Sequence, residues 1–366
     1  MRLPMLGAIA GIVAMLAAGS TMAADRNLEV VAKLDRAPGN IGVAPDGTVI
    51  VSVHPALQPK TVALAIRDGA VRPFPPAGWS RVLAAEPADK ETGLRPVLGV
   101  RVARDGRAWL LSGGRGQLPK HIYVWDRAKN RLAQDFQFRQ PEAQLSSFYN
   151  DLALAPDHNA VFISEPGGPA LVVVDTETGA ARRVLEGHES VRPEGVTAEI
   201  DGRVLGAPGP DGEVEPLMGA VNPITIDPQE EWVYYGAMTG ESIWRVKVED
   251  LLNADLSAKA LGRRVERYGP KPPSAGITID DAGHVYITDI QAKGVGVTTP
   301  EGYRLVVQDE KRISWPDGLS TGPDGYIYIA ANSLHRIFPS HRDMGPPEPP
   351  FYITRFKALG PTTVGR

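Results

Sequence analysis

"YNDLALAPDHNAVFIS" (residues 149–164) sets two polar residues, Asn150 and Asp151, directly before an apolar run that reads as a buried strand, followed by a turn and a second β-rich run. The pattern is not alone. Five other segments align with it: "GNIGVAPDGTVIVSV" from Gly39, "LGVRVARDGRAWLLS" from Leu98, "NPITIDPQEEWVYYG" from Asn222, "AGITIDDAGHVYITD" from Ala275 and "DGLSTGPDGYIYIAA" from Asp317. With the third copy counted from Asn150, the starts lie 59, 52, 72, 53 and 42 residues apart. In every copy the turn falls at the same offset, and the flanking runs are short, β-branched and aromatic, as hairpin strands are.

Each hairpin is followed by further β signal, such as "ALVVVDTETGAARRVL" from Ala170, which gives about four strands per unit. A unit of that size cannot bury both faces alone, so its copies must stack around an axis. Six copies predict an all-β fold, a six-bladed β-propeller in one domain spanning residues 24–366. The long interval after the third copy holds an extra hairpin-like stretch, "VTAEIDGRVLGAPGP", read as an insertion. The sixth copy runs short, so "LEVVAKL" (28–34) is expected to supply its fourth strand and remove the open edges. "PFYITRFKAL" near the C-terminus is expected to add an outer strand.

The chain has 366 residues, 43% of them hydrophobic and 22% charged, with a formal charge of −4. That balance offers no electrostatic footprint for nucleic acid and no polybasic membrane patch. Arg2, an apolar stretch from Leu6 to Ala18 and a small-residue exit read as a secretory signal peptide over residues 1–23, cleaved after Ala23 or Ala24. A secreted or periplasmic monomer is the expectation, free of the membrane once the signal is removed. The sequence contains no cysteine, which excludes disulfides, thiolate metal sites and a Cys nucleophile.

In a propeller the first strand of each blade lies nearest the axis, so the residues before it converge on one mouth of the channel. Those residues are Gly39, Leu98, Asn150, Asn222, Ala275 and Asp317, followed by Asn40, Gly99, Asp151, Pro223, Gly276 and Gly318. The second strands return to the same mouth about 4.8 Å further out. That predicts an outer ring of His54, Arg115, Glu165, Asp289 and Asn332, with Phe148, Tyr149 and Trp315 as aromatic walls. The candidate ligand-binding set is therefore His54, Arg115, Tyr149, Asn150, Asp151, Glu165, Asp289, Trp315 and Asn332. Asn or Asp before a strand also caps turns through its side chain, and the Asp of each Pro-Asp turn (Asp46, Asp157, Asp324) belongs to that structural use. Of the histidines, His54 and His335 are the better placed, whereas His121, His158, His188, His284 and His341 read as solvated.

The quoted segments, above all "WPDGLSTGPDGYIYIAANSLHRI", resemble the major royal jelly protein and yellow family, in its bacterial branch related to dopachrome tautomerase. The resemblance implies a secreted propeller that binds small ligands such as biogenic amines, with some relatives linked to dopachrome conversion. A more distant similarity is to gluconolactonase-type propellers, which hold calcium at this mouth. That pattern maps onto Asn150, Asn222 and Asp317, but "SAG" puts Ala275 where those relatives carry an aspartate. Three functions stay open: a binder of a small aromatic or amine ligand, a calcium-dependent lactone hydrolase or a tautomerase with Asp151 or Asp317 as general base, and a protein-interaction platform.

Overall fold

The computed structural model describes residues 27–76, 78–83, 92–114, 118–139 and 143–366; the expected signal peptide falls outside them. Six four-stranded antiparallel sheets make six blades. Blade 1 comprises Pro38–Val43, Val49–Val53, Ala63–Arg67 and Ala70–Phe74, and blade 2 Gly99–Val102, Ala108–Ser112, Lys120–Asp126 and Arg131–Phe138. Blade 3 comprises Asp151–Ala155, Ala160–Glu165, Ala170–Asp175 and Ala181–Val184, and blade 4 Val221–Ile226, Trp232–Ala237, Ser242–Lys247 and Glu266–Pro270. Blade 5 comprises Ile277–Ile279, Val285–Asp289, Gly294–Thr299 and Gly302–Gln308. Each inner strand touches the inner strands of its two neighbours, and the sixth touches the first, so the ring is closed.

Burial falls from the axis outward. The inner strands of blades 1, 2 and 3 are buried at every position, whereas Ala70–Phe74 is exposed at all but its last residue. That gradient explains why the inner strands read as near-continuous small and apolar runs while the outer ones alternate. The core is divided among the blade interfaces. Phe162, Leu171 and Val173 of blade 3 pack on Ile224, Tyr235 and Val246 of blade 4, and similar clusters join the other neighbours. Removing a buried side chain as large as Phe162 would cost about 3–5 kcal/mol.

Blade 6 closes the ring, with a change from the expected order. Its strands are Pro316–Thr321, Tyr326–Ala331, Phe351–Lys357 and Glu29–Leu34, hydrogen-bonded in that sequence. "PFYITRFKAL" is thus the third strand, and the N-terminal strand pairs on its outer side. The intervening residues 332–350 form two 3-10 turns and a Pro-rich link, a long excursion that hides the adjacency from a linear reading. Arg355 pins the junction, reaching Glu29 at 2.8 Å and lying 4.3 Å above the Tyr326 ring.

The insertion between blades 3 and 4 forms two short hairpins, Glu199–Ile200 with Arg203–Val204 and Gly206–Pro208 with Val214–Pro216. It is tied to the 3-10 turns of blade 6. The amide of Gly206 donates to Ser340 Oγ at 3.0 Å, Arg203 pairs with Asp343, and His341 Nε2 meets Ile200 O at 3.0 Å. Leu205, Met238, Ala275 and Trp315 form one apolar cluster with Leu217, Leu334 and Phe338 beneath these segments.

Candidate functional site at the channel mouth

A cavity of about 780 Å³ lies where the inner strands begin. Every blade contributes: Asn40, Leu98, Asn150, Asn222, Ala275 and Asp317 line it. Local backbone features aim these side chains. The pairing of inner and second strands shifts register between Pro38 and Ile41, between Val221 and Ile224, and between Pro316 and Gly318. Asn40, Asn222 and Asp317 sit inside those three irregularities, which re-aim side chains at a sheet end. Hydroxyls on the second strands lock the geometry from blade to blade. Ser52 Oγ accepts from the Asn40 amide at 2.9 Å and donates to Leu98 O at 2.7 Å, and Ser164 Oγ accepts from the Asp151 amide and donates to Asn222 O. Two glycines let the strands converge: a Cβ on Gly276 would overlap the Asp317 carbonyl, and one on Gly318 would come within 2.9 Å of Asn40 Cα.

The polar floor is small. The Asn150 amide donates to Asn222 Oδ1. Asp317 Oδ2 accepts from Asn332 Nδ2 at 2.7 Å, and Asn332 also donates to Pro38 O, so Asn332 orients the carboxylate without itself lining the cavity. His54 Nδ1 accepts from the Ala56 amide at 3.2 Å, which leaves the proton of the neutral ring on Nε2, 3.8 Å from Asp317 Oδ2. Burial dominates the titration of both groups. It pushes Asp317 up to about 7, aided by the nearby Asp151 charge and opposed by Asn332 and Trp315, and it pushes His54 down to about 4.

Asp151 has a different setting. Its side chain is buried away from the cavity and bonded to Arg101 Nη2 at 2.8 Å. Arg101 Nη1 also donates to Asn40 Oδ1 at 2.9 Å and to Val100 O, so one guanidinium spans the channel beneath the floor. The sequence carried a signal for this plug. Across the six copies the fourth position holds Gly42, Arg101, Ala153, Thr225, Thr278 and Ser320, five small residues and one large cation. Burial raises the Asp151 pKa and the Arg101 charge opposes the rise.

Other expected site residues lie elsewhere. Glu165 is buried against Arg183 and Ser147, and Asp289 accepts from the Gln291 and Ala292 amides and from the Tyr303 hydroxyl at 2.9 Å. Neither lines the cavity, because each side chain is held by these partners instead. Tyr149 is fully buried and tilted against Phe138, and its neighbour Phe148 takes the wall position instead. Arg115 lies outside the described residues. Trp315 does line the cavity, stacked between His335 and Phe338. The histidines read as solvated are mostly engaged: His121 pairs with Asp135, His284 with Asp280, and His341 is buried. Most of the wall, including Arg95, Leu217, Met238, Ile337 and Phe338, comes from connecting segments that the repeat alignment cannot place.

The profile of the major royal jelly protein family matches residues 96–357, well over half of the chain. The chain belongs to that family. No curated protein sequence matches this royal jelly family protein. Among solved structures, regucalcin, a calcium-binding protein from Agrobacterium tumefaciens, aligns at TM-score 0.55 and 13% identity, over 93% of this chain and 98% of its own. A gluconolactonase from Xanthomonas campestris aligns at 0.53 and 12% identity, over 90% and 89%. Virginiamycin B lyase from Staphylococcus aureus aligns at 0.51 and 13%, over 92% and 100%. At these identities the likeness is one of fold.

The likeness to a calcium-binding propeller makes the donor set of this royal jelly family protein worth testing. Among the described residues no three His, Cys, Asp or Glu side chains gather where a metal could sit. Of the Asn150, Asn222 and Asp317 set, Asn222 Oδ1 is taken by the Asn150 amide and one Asp317 oxygen by Asn332. One carboxylate and two amides fall short of the six to eight oxygens calcium takes. Backbone carbonyls and water would have to supply the rest of a calcium centre.

Proposed function

We propose that this protein binds a small molecule with an aromatic or otherwise apolar body in the channel-mouth cavity, its polar head seated on Asp317. One observation carries the reading: a mostly apolar cavity holds, among the described residues, a single lining carboxylate, half-buried and raised to about 7. Such concave sites with few convergent polar groups and a perturbed acid are the usual places for ligands and for proton transfer. Above about pH 7 Asp317 is the base, below it the acid, so a tautomerase-type proton shift on the bound molecule falls within its range. Asp151, paired with Arg101, has no such freedom.

The reading includes export. Residues 1–23 act as the signal, and the mature chain works outside the cytoplasm as a monomer. Amino-terminal sequencing of the exported protein should begin at Ala24 or Asp25.

A thermal-shift and calorimetric panel of aromatic amines, phenols and ketones, run with calcium and with chelator, tests the function. Ligand binding should raise the melting temperature of the wild type, Asp317→Ala should lose most of that gain, and calcium should give none. A calcium-dependent lactone hydrolysis rate that disappears in Asp317→Ala would instead establish the lactonase alternative. Saturable capture of a protein with the cavity blocked by Leu217→Trp would favour the interaction platform.

A further inference from the structure

At the seventh position of the repeat, inside the turn, four copies carry proline (Pro45, Pro156, Pro228 and Pro323) and two do not: Arg104 and Asp281. These turns stand where the inner strands finish, at the end of the channel opposite the Asp317 mouth. Residues 359–366, which follow the third strand of blade 6, cross that end and meet both odd turns. The Thr363 amide and hydroxyl donate to Asp281 Oδ1 and Oδ2 at 3.1 and 2.8 Å, and the Asp281 amide donates to Pro361 O at 2.9 Å. The Gly360 amide donates to the fully buried Asp280 at 2.9 Å, and Arg366 Nη2 donates to Ile279 O at 2.9 Å. On the other side Gly365, at a φ of 100°, lies so close to Arg104 that a Cβ would come within 2.5 Å of its amide nitrogen. Gly365 and Arg366 close a polar chamber with Arg101, Thr225, Thr278 and Ser320, with room for about one water molecule. The channel is thus shut twice, by the Arg101 guanidinium above the chamber and by this segment below it.

We infer that residues 359–366 are a plug seated in a socket that the two odd turns build, and that the plug leaves and returns as a unit while the blades stay folded. Among the described residues, the Asp281–Pro361 bond alone joins its backbone to the backbone of a blade, so release breaks no strand ladder. Segments held this way open at a lower cost than the whole fold. While the plug is seated, the channel is a blind pocket entered from the Asp317 mouth. Once it leaves, the chamber is open, and Asp280 and Asp281 beside Arg104 face a peptide of the same chemistry. Such a peptide has small residues that approach the backbone, amide and hydroxyl donors for the carboxylates, and a basic side chain for the Ile279 carbonyl. The inference is independent of what the cavity at the other mouth binds.

The absence of cysteine makes a clean test, because Thr278→Cys places the sole thiol of the chain inside the chamber. Its reaction with methyl methanethiosulfonate, read by mass, follows opening of the plug. In the otherwise unaltered chain the thiol should react at least about a hundredfold more slowly than free cysteine, at a rate that low urea leaves unchanged, as local opening requires. Gly365→Val, forced against Arg104, and Asp281→Ala, which removes both Thr363 bonds to a carboxylate, should each speed the reaction about tenfold. An excess of free peptide with the sequence of residues 359–366 should slow the Gly365→Val variant again, since its socket is intact. Reaction at the free-thiol rate in the unaltered chain, or a rate that neither substitution changes, overturns the plug. A rate that climbs with urea in step with global unfolding overturns release as a unit, as does a substitution that unfolds the whole protein. Failure of the peptide to restore protection overturns the socket.

Discussion

Asp151 and Asp317 stand at the starts of inner strands on opposite sides of the six-blade ring, the first buried and the second half-buried, and desolvation raises the pKa of both, yet they differ in use. Asp151 has a guanidinium at 2.8 Å and sits under the floor, whereas among the described residues no Lys or Arg pairs with Asp317, which faces the cavity. The difference is a matter of one neighbour. A buried carboxylate with a cation becomes part of the scaffold, and one without it becomes a titrating group.

Breaking the scaffold side should have the largest effect. Arg101→Met leaves Asp151 buried and unpaired and should cost about 3–5 kcal/mol in urea unfolding, or prevent folding. The double variant Arg101→Met with Asp151→Leu should recover much of that loss. Next comes Gly276→Ala. Its new Cβ would overlap the Asp317 carbonyl, so about 2 kcal/mol should be lost, together with ligand binding, through displaced backbone.

Asp317→Asn should act in the other direction. The folded-state pKa of Asp317, about 7, is above its unfolded value near 3.8, so the folded state holds the extra proton between them. Wild-type stability therefore falls as pH rises from about 4 to about 7, and the full cost remains above that range. The variant should melt higher than wild type at pH 8.5 by the equivalent of about 2 kcal/mol, with little gain at pH 4. A gain of equal size at both pH values would show that the carboxyl titrates normally. The smallest effect is expected from Glu29→Gln at the ring closure. This half-exposed pair with Arg355 should be worth under about 1 kcal/mol and leave the pH profile of both aspartates unchanged.

The repeat pattern made the architecture legible because each blade obeys the same local rules: an apolar inner strand, an Asp-containing turn, a β-branched return. The six inner-strand starts were legible for the same reason, and the cavity includes one polar or apolar residue from each. Side-chain partners were not. The repeat alignment sets Arg101 apart among small residues, but nothing in the chain names Asp151, 50 residues away, as its partner, and only the ring brings them together. The third strand of blade 6 was misplaced because the 19 residues 332–350 separate it from its partner. Glu165 and Asp289 were assigned to the mouth from strand direction alone, and they found partners within their own blades instead.

Read unaided, the sequence determined the number of blades, the strand that closes the ring and the register in which Asn150, Asn222 and Asp317 face a common axis, since hydrophobic periodicity and turn chemistry act over a few residues. Tertiary structure alone decided which carboxylate meets a cation and which stays unpaired, and which loops wall the cavity. Those outcomes depend on distances of a few ångströms between residues far apart in the chain, where desolvation and charge pairing compete and no local pattern records the result.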